Sequence, residues 1–304
     1  MKITVLEVLR FIESIGVTSE LEGEDNVEFE GYCPLNALKD NSITWVRNIK
    51  DVILPEMNSY KNIVLIAELG GKIEASFPVI YVENAHRTYF KIIEHFFGSR
   101  DYERKAPKIE PTAVVETDNL GEGVYIGHHT YIDKDVTIGN HVKIYHNVTI
   151  QGKCSIGDYT VIESGTSIGV CGFGHYTDFD GNPVCVPHLG GVFIGNHVKI
   201  GANNAIARGC LADTVIEDYV KTDNMCHIAH NDHIKSKAML TANTVISGSV
   251  TVGEGVWFGP GSLVNNGIEV GENAFFGIGA VATKSVPANK VMVGVPAKAL
   301  RDRE

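Results

Sequence analysis

An aliphatic residue recurs at every sixth position through most of this 304-residue chain, and that period restricts the fold more than any other feature. An α-helix repeats every 3.6 residues and a strand every two, so neither alone produces it. A short strand with two-residue alternation, followed by a sharp turn, does give a period of six. Three such hexads close a triangular coil of short parallel strands, with the aliphatic side chains inside. The first run comprises Val114, Leu120, Ile126, Ile132, Ile138, Ile144, Ile150, Ile156, Ile162 and Ile168. The repeat resumes at Ile194, Ile200 and Ile206, slips by four residues, and runs again from Ile216 to Ala282.

Two other positions of the hexad are restricted. The residue two places before the aliphatic one is small or branched, and we expect it to face inward as well. This second set comprises Val124, Val136, Val142, Val148, Cys154, Thr160 and Thr166. Glycine often follows the aliphatic residue directly, as at Gly139 and Gly157, where we expect it to supply the backbone angles of a corner.

The first hundred or so residues lack the hexads, which divides the chain into two parts. Helical periodicity covers residues 5–15 and 85–97, and strand-like runs cover residues 27–31, 42–46, 62–67 and 78–82. We therefore predict a small α/β domain over residues 1–105. Residues 106–290 are predicted to form the β-helix, with a loop excursion over 170–192, and residues 291–304 a short C-terminal tail.

Composition excludes several classes of partner. The net charge of −11 disfavours binding to nucleic acid or to an anionic membrane. Acidic residues interrupt the first apolar stretch, which is not typical of a signal peptide, and no apolar run approaches the length of a membrane span. The six cysteines form no CxxC pair, which indicates reduced thiols and a cytoplasmic protein.

One histidine is a candidate for catalysis. His230 lies two places after the inward Ile228, and Gly248 follows His230 by 18 residues, so the coil repeat places the two side by side. An imidazole can accept the proton of an attacking amine, and a glycine N–H can stabilise an oxyanion. The pair suits amide formation from a thioester. The alternative is that His230 is an ordinary residue of a strand with no role in catalysis.

Three segments add a resemblance to a known family: Cys-Gly-Phe-Gly at 171–174, Pro-His-Leu-Gly-Gly-Val-Phe-Ile-Gly at 187–195, and Ile-Ala-His-Asn at 228–231. With the hexads, they resemble the N-acyltransferases of lipid A biosynthesis. The resemblance implies a left-handed parallel β-helix, an N-terminal α/β domain, and a homotrimer with active sites between subunits. It also implies transfer of a hydroxyacyl chain to the 2-amine of a UDP-glucosamine derivative, with His230 as catalytic histidine and Gly248 as oxyanion glycine.

The same resemblance suggests which residues bind the nucleotide and the sugar. It implies that the N-terminal domain binds the nucleotide, with Trp45 stacking on the pyrimidine and Asn48 reading the base; the alternative is that Trp45 belongs to the core. An aromatic residue of that pocket is replaced by Asp51. The polar loop 170–192 is expected to form one wall of the active-site cleft. The candidates for sugar binding are His188, Asn224 and His227.

Two departures from the lipid A enzymes favour another donor. Asn266-Gly267 replaces a second histidine of their site. The C-terminal end resembles coenzyme A-dependent sugar acetyltransferases, which implies a pantetheine arm at Gly277 and Ala280. Phosphate contacts are then implied for Lys284, Lys298 and Arg301. We therefore expect acyl-CoA as co-substrate, no tightly bound cofactor or metal, and a nucleotide-linked amino sugar as acceptor. The nearest subfamily suggested is the anthrose-pathway N-acyltransferases, which act on a dTDP-4-amino-4,6-dideoxy sugar.

Three other functions remain open. The first is UDP-3-O-acylglucosamine N-acylation of lipid A biosynthesis, with acyl carrier protein as donor. The second is a metalloenzyme of the γ-type carbonic anhydrase kind, using histidines such as His141, His146, His227, His230 and His233. Histidines three apart on a flat strand do not converge as zinc requires. The third is a non-catalytic sugar-nucleotide sensor, against which the cationic C-terminus argues.

Overall fold

The computed structural model describes residues 2–48, 50, 54–98 and 106–303. The chain divides into two compact units, Met1–Arg100 and Asp101–Glu304. Residues 99–105, where the charged linker between the predicted domains begins, lie outside the described ranges.

The N-terminal unit is a mixed sheet with helices. Its strand order is Ser19–Glu22, Val79–Val82, Val64–Glu68, Ser42–Val46 and Gly31–Tyr32, with the first pair antiparallel and the others parallel. The helices are Val5–Ser14, Leu54–Met57 and Ala85–Phe96, and Ile3–Thr4 pairs separately with Glu28–Phe29. Val5–Ser14 and Ala85–Phe96 pack with one face of the sheet, where Ile66 and Ile80 are buried.

The two predicted helices are confirmed to within one residue, because the sequence contains the residues that cap each helix. The Thr4 hydroxyl accepts the Glu7 N–H and the Glu7 carboxylate accepts the Thr4 N–H, which is a capping box. The Asn84 side chain caps the other helix. The strand over 42–46 is also confirmed. Strand Ser19–Glu22 was not predicted, because its charged residues lack apolar alternation.

Residues 106–303 form a parallel β-helix of three sheets, which confirms the predicted fold class. One sheet contains Lys108–Ile109, Tyr125–Ile126, Lys143–Ile144, Val161–Ile162, Lys199–Ile200, Lys221–Thr222, Met239–Leu240, Trp257–Phe258, Phe275–Phe276, Lys290–Val293 and Lys298–Asp302. The second contains Val114–Val115, Tyr131–Ile132, Thr149–Ile150, Ser167–Val170, Ala205–Ala207, His227–Ile228, Val245–Ile246, Leu263–Val264 and Val281–Ala282. The third contains Val136–Ile138, Cys154–Ile156, Val192–Ile194, Thr214–Ile216, His233–Ile234, Thr251–Val252 and Glu269–Val270.

The strand register follows the hexads and their interruptions. Ile126 pairs with Ile144, one 18-residue coil later. The excursion makes Ile162 pair with Ile200, and the four-residue slip makes Ile206 pair with Ile228. From Ile126 onward, the members of both inward sets are buried in one continuous core.

The prediction that Val114 faces inward is wrong. Its side chain is 53% exposed, and Val115 pairs with Ile132 in its place. The first coil is one residue shorter than the others, since Ile132 follows Val115 by 17 positions.

The prediction that glycines after the aliphatic residues supply corner angles holds at Gly169, which has φ 81°, but not at Gly139 and Gly157. Gly139 and Gly157 do not adopt left-handed angles; a Cβ would lie 2.4 Å from Asp158 Oδ1 at Gly139 and 2.5 Å from the Gly195 carbonyl carbon at Gly157. They are required because the next coil approaches closely. The left-handed corners fall instead on residues such as His141, at φ 57°.

The excursion and the C-terminus are both ordered. Strands His175–Thr177 and Pro183–Cys185 form an antiparallel hairpin. The predicted C-terminal tail is not a loose extension, because Lys290–Val293 and Lys298–Asp302 pair antiparallel at the end of the largest sheet. Arg303 Nη1 also donates to backbone carbonyls of neighbouring coils.

Asp232 is a carboxyl group at an inward position of the solenoid. It is fully buried; its Oδ1 accepts the Val250 N–H at 2.8 Å, and its Oδ2 has no partner within the described residues. Desolvation raises the pKa of Asp232 to about 8. The folded protein therefore holds this carboxyl neutral at pH 7.

Asp232→Asn is expected to stabilise the fold increasingly as the pH rises from about 4 to 8. In that window the unfolded wild-type chain releases a proton that the folded chain keeps, so wild-type stability falls by up to about 1.4 kcal/mol per pH unit. The asparagine variant lacks this dependence. Denaturant unfolding of both proteins at pH 5 and pH 8 measures the difference, with exposed Asp180→Asn as control. An equal stability difference at both pH values would show that Asp232 titrates normally.

Candidate functional site

The site is centred on the corner that follows strand His227–Ile228. There His230 Nδ1 lies 3.1 Å from Asn231 Oδ1 and 3.7 Å from Cys210 Sγ. The opposite edge of the ring faces Gly248, where a Cβ would lie 2.8 Å from His230 Nε2. The structure thus brings together the histidine and glycine that the coil repeat predicts as neighbours.

Gly248 is the residue of the next coil that lies against this imidazole. Pairing of Ile228 with Ile246 sets the position, and within the described residues the Gly248 N–H has no hydrogen-bond partner. The Gly248 carbonyl accepts the Gly267 N–H at 3.0 Å. When the Asn266 amide is oriented so that its nitrogen donates and its oxygen accepts, the nitrogen also donates to the Gly248 carbonyl at 2.7 Å. Asn266 therefore holds the glycine in place.

The excursion loop covers the other side of His230. A Cβ on Gly172 would lie 2.8 Å from both His188 Nε2 and His230 Cδ2. His188 is 8% exposed, and its ring meets the His230 ring edge to face with centroids 5.5 Å apart. Its Nδ1 lies 2.7 Å from the Val186 carbonyl, which fixes the proton there, since a carbonyl can only accept. The loop that was expected to wall the cleft does lie against the candidate histidine.

The other two residues predicted for sugar binding lie further away along the coil. Asn224 stands at the preceding corner, and its side-chain oxygen accepts the Ala202 N–H at 2.8 Å. His227 is half-buried on the strand that leads to His230, and desolvation lowers the pKa of His227, which favours the neutral ring.

The N-terminal candidates lie on and just after strand Ser42–Val46. Trp45 is half-buried, with its ring edge-on to His86 at 4.9 Å between centroids. It lines a cavity of about 640 Å³ together with Leu38, Arg47 and Met57. Asn48 is exposed, and its Oδ1 accepts the Lys50 N–H at 3.1 Å. Asp51 lies outside the described residues.

The C-terminal candidates divide into backbone and charged groups. The Gly277 N–H donates to Met292 and the Ala280 N–H to Gly277, so neither is free for a pantetheine arm. Lys284 is exposed, and Lys298 and Arg301 stand exposed on the last strand. The cations are therefore available to a negatively charged donor.

Sequence reasoning assigned no role in the site to Gly172, Cys210 or Asn231, and it noted Asn266 only as the replacement of a histidine. Cys210 lies within the four-residue slip of the hexads, and that irregularity is the signal that could have identified it. All six cysteines fall within the described ranges and are unpaired, as predicted. In those ranges, three metal-ligating side chains converge at one place, His188, Cys210 and His230; the other histidines considered for a carbonic anhydrase-like site do not take part.

Comparison with known proteins shows the family to which the chain belongs. The repeat family described as Bacterial transferase hexapeptide (six repeats) matches residues 119–152 and 135–169. UDP-3-O-acylglucosamine N-acyltransferase 1 of Legionella pneumophila (strain Paris) is 34% identical over 243 residues, covering 74% of this chain and 67% of that protein. This chain belongs to the UDP-3-O-acylglucosamine N-acyltransferase family.

Other family members match over shorter segments. The probable UDP-3-O-acylglucosamine N-acyltransferase 2, mitochondrial, of Arabidopsis thaliana is 49% identical over 106 residues, 35% of each chain. The matches to the first such relatives span about a third of their length. Among solved structures, the UDP-N-acetylglucosamine acyltransferase from Campylobacter jejuni aligns with TM-score 0.58 and 24% identity, over 64% of this chain and 75% of that one. That likeness confirms the β-helical fold.

The comparisons correct one expectation. The anthrose-pathway subfamily, and with it the dTDP sugar, is not supported, because the relatives are named for UDP-3-O-acylglucosamine. Among the described helices, none is both long and apolar enough to cross a bilayer.

Proposed function

We propose that this protein is an N-acyltransferase that joins the acyl group of a thioester to the amine of a UDP-linked amino sugar. The observation that carries the proposal is Gly248, whose N–H is unpartnered within the described residues and whose Cβ position would lie 2.8 Å from His230 Nε2. The UDP sugar is proposed from the names of the family members, such as the Legionella protein.

The geometry suggests how the reaction proceeds. The neutral amine attacks the thioester carbonyl, and the developing oxyanion accepts a hydrogen bond from the Gly248 N–H. His230 Nε2 accepts the amine proton while its Nδ1–H donates to Asn231 Oδ1, which selects the tautomer that leaves Nε2 free. The C–S bond then breaks, and the leaving thiolate takes up the proton.

The acyl donor has two candidates. Acyl carrier protein is the donor that the family's lipid A chemistry implies, and we take it as the first. Acyl-CoA is the second, because the exposed Lys284, Lys298 and Arg301 offer positive charge at the end of an otherwise acidic chain. Thiol release from each donor, with UDP- and dTDP-amino sugars as acceptors, distinguishes the two and tests the proposed activity.

Reversing the charge of the last strand is expected to weaken donor binding. Lys298→Glu combined with Arg301→Glu should raise KM for the donor by about tenfold at low salt, because the local field that attracts an anionic donor is inverted. The effect should shrink as salt is added. Lys134→Glu with Lys235→Glu makes the same charge change elsewhere on the β-helix and serves as control. Equal KM changes in the two double variants would argue against a donor site at this strand.

Trp45→Ala is expected to weaken UDP binding by about 5- to 150-fold, because stacking of an aromatic side chain on a base is worth about 1–3 kcal/mol. Trp45→Phe keeps a ring and should restore part of the affinity. Calorimetric titration with UDP measures both. If Trp45→Ala binds UDP as the wild type does while remaining folded, the indole is only a core residue.

We also propose a homotrimer. Several apolar side chains around the site are exposed in the single chain, among them Phe173, Phe179, Leu189 and Leu211. Exposed apolar surface of this kind is typical of contacts between subunits. Sedimentation equilibrium should give three times the chain mass, and a monomer would contradict the proposal.

A further inference from the structure

The strongest feature that the proposed function does not use is a cluster of one thiol and two imidazoles beside His230. His188, Cys210 and His230 each direct one ligand atom to this point, and these atoms all lie within 4.8 Å of one another. Cys210 Sγ is 3.7 Å from His230 Nδ1.

His188 leaves an unused lone pair in this cluster. The side chain is more than nine-tenths buried, and its Nδ1 proton is donated to the Val186 carbonyl at 2.7 Å. Its Nε2 is consequently an acceptor, yet it has no partner in the described part of the chain. A buried acceptor without a donor is costly, whereas a cation would satisfy it. Metal-binding histidines are commonly oriented by a backbone carbonyl on the other ring nitrogen, as here.

The ligand types select a class of cation. A thiolate with two imidazoles suits zinc and related borderline-soft ions rather than magnesium or calcium. Three protein ligands with an open fourth position is a common arrangement of zinc in enzymes. Zn–N and Zn–S bonds are about 2.0–2.3 Å long, so the ligand atoms of a tetrahedral site lie about 3.3–3.8 Å from one another. Binding would therefore bring the ligand atoms of this cluster closer together by about 1 Å.

We propose that His188 Nε2, Cys210 Sγ and His230 Nδ1 bind a Zn²⁺-class cation, with release of the thiol proton. A consequence follows that does rest on the proposed function. With Nδ1 on the cation, the neutral His230 ring carries its proton on Nε2 and cannot accept one from the amine. The metal-bound protein is therefore expected to be inactive, and the site makes the enzyme sensitive to zinc.

Cobalt(II) titration tests binding without reference to activity. The full chain, reduced and freed of metal by a chelator, should take up one Co²⁺ per chain with an intense thiolate-to-cobalt charge-transfer absorption, and Zn²⁺ should displace it. Cys210→Ser should abolish that absorption, and His188→Gln should weaken Co²⁺ binding at least tenfold. Cys185→Ser is the matched control, because Cys185 Sγ lies 3.3 Å from His175 Nε2 but has no third ligand among the residues that the structure describes. Absence of the absorption, or its persistence in Cys210→Ser, would overturn the proposal.

Acyl-transfer assays separate this inference from the proposed function. Zinc should inhibit the wild-type protein, and Cys210→Ser should lose that inhibition relative to its own metal-free rate. Cobalt binding in a protein that transfers no acyl group would refute the proposed function and leave the metal site standing. Activity that zinc does not affect, with no cobalt absorption, would refute the metal site alone.

Discussion

Replacing His230 by alanine is expected to lower kcat/KM for amide formation by about 10²–10⁴, the usual contribution of a general base. Without the ring, no group replaces Nε2 beside Gly248, and the proton of the attacking amine must leave by another route. Initial rates of thiol release at acceptor concentrations well below KM measure the loss. The fold should survive, because the ring lies at a corner of the coil and the inward position is held by Ile228.

His233→Gln is the matched control for that variant. His233 is three residues further along, on the next sheet, where its Nε2 contacts Glu217 at 2.6 Å. Loss of this surface pair costs little stability, and activity should be almost unchanged. A loss of less than about tenfold in His230→Ala would mean that the leaving thiolate takes the proton directly, with His230 only orienting the amine.

Gly248→Ala is expected to lower kcat by about 10²–10³, a loss comparable to removal of one oxyanion-hole donor. The added Cβ would stand 2.8 Å from both Nε2 and Cε1 of His230, which is too close for real atoms, so the ring must move. The methyl group also adds bulk at the residue whose N–H is proposed to stabilise the oxyanion. Both halves of the site are disturbed by one carbon atom.

Ser249→Ala tests whether any change at this corner has the same effect. Ser249 is exposed and adjacent to Gly248, and it loses only its hydroxyl group. We expect wild-type kcat and unchanged thermal unfolding for Ser249→Ala, whereas Gly248→Ala should remain folded with a slightly lower melting temperature, because the His230 ring must move. Wild-type activity in Gly248→Ala would contradict the role assigned to this glycine.

Much of the β-helix could be predicted because its determinant is local and repeated. An inward, mostly apolar residue at each sixth position fixes the register, so the pairing of Ile228 with Ile246 followed from counting. The error at Val114 arose where a coil is one residue short, a change that the residue pattern alone does not reveal. The role of Gly139 was missed because the approach of another coil is a tertiary effect, which backbone propensity does not contain.

The candidate site was predictable only where the repeat holds. His230 and Gly248 stand one coil apart and could be placed together in advance. Cys210 and Gly172 lie in the slip and in the excursion, where spacing along the chain no longer gives spacing between coils. The position of His188 was predicted by resemblance, but its buried, unpartnered Nε2 depends on the fold of the loop around it.

Mass spectrometry of the product tests the central claim most directly. The purified protein would be incubated with a UDP-linked amino sugar and either acyl carrier protein or coenzyme A carrying the acyl group. We predict a product heavier by that acyl group and resistant to hydroxylamine, as an amide is and an ester is not. It should form with wild type and fall by at least about a hundredfold in rate with His230→Ala. No amide with either donor, or equal amounts from both proteins, would contradict the account.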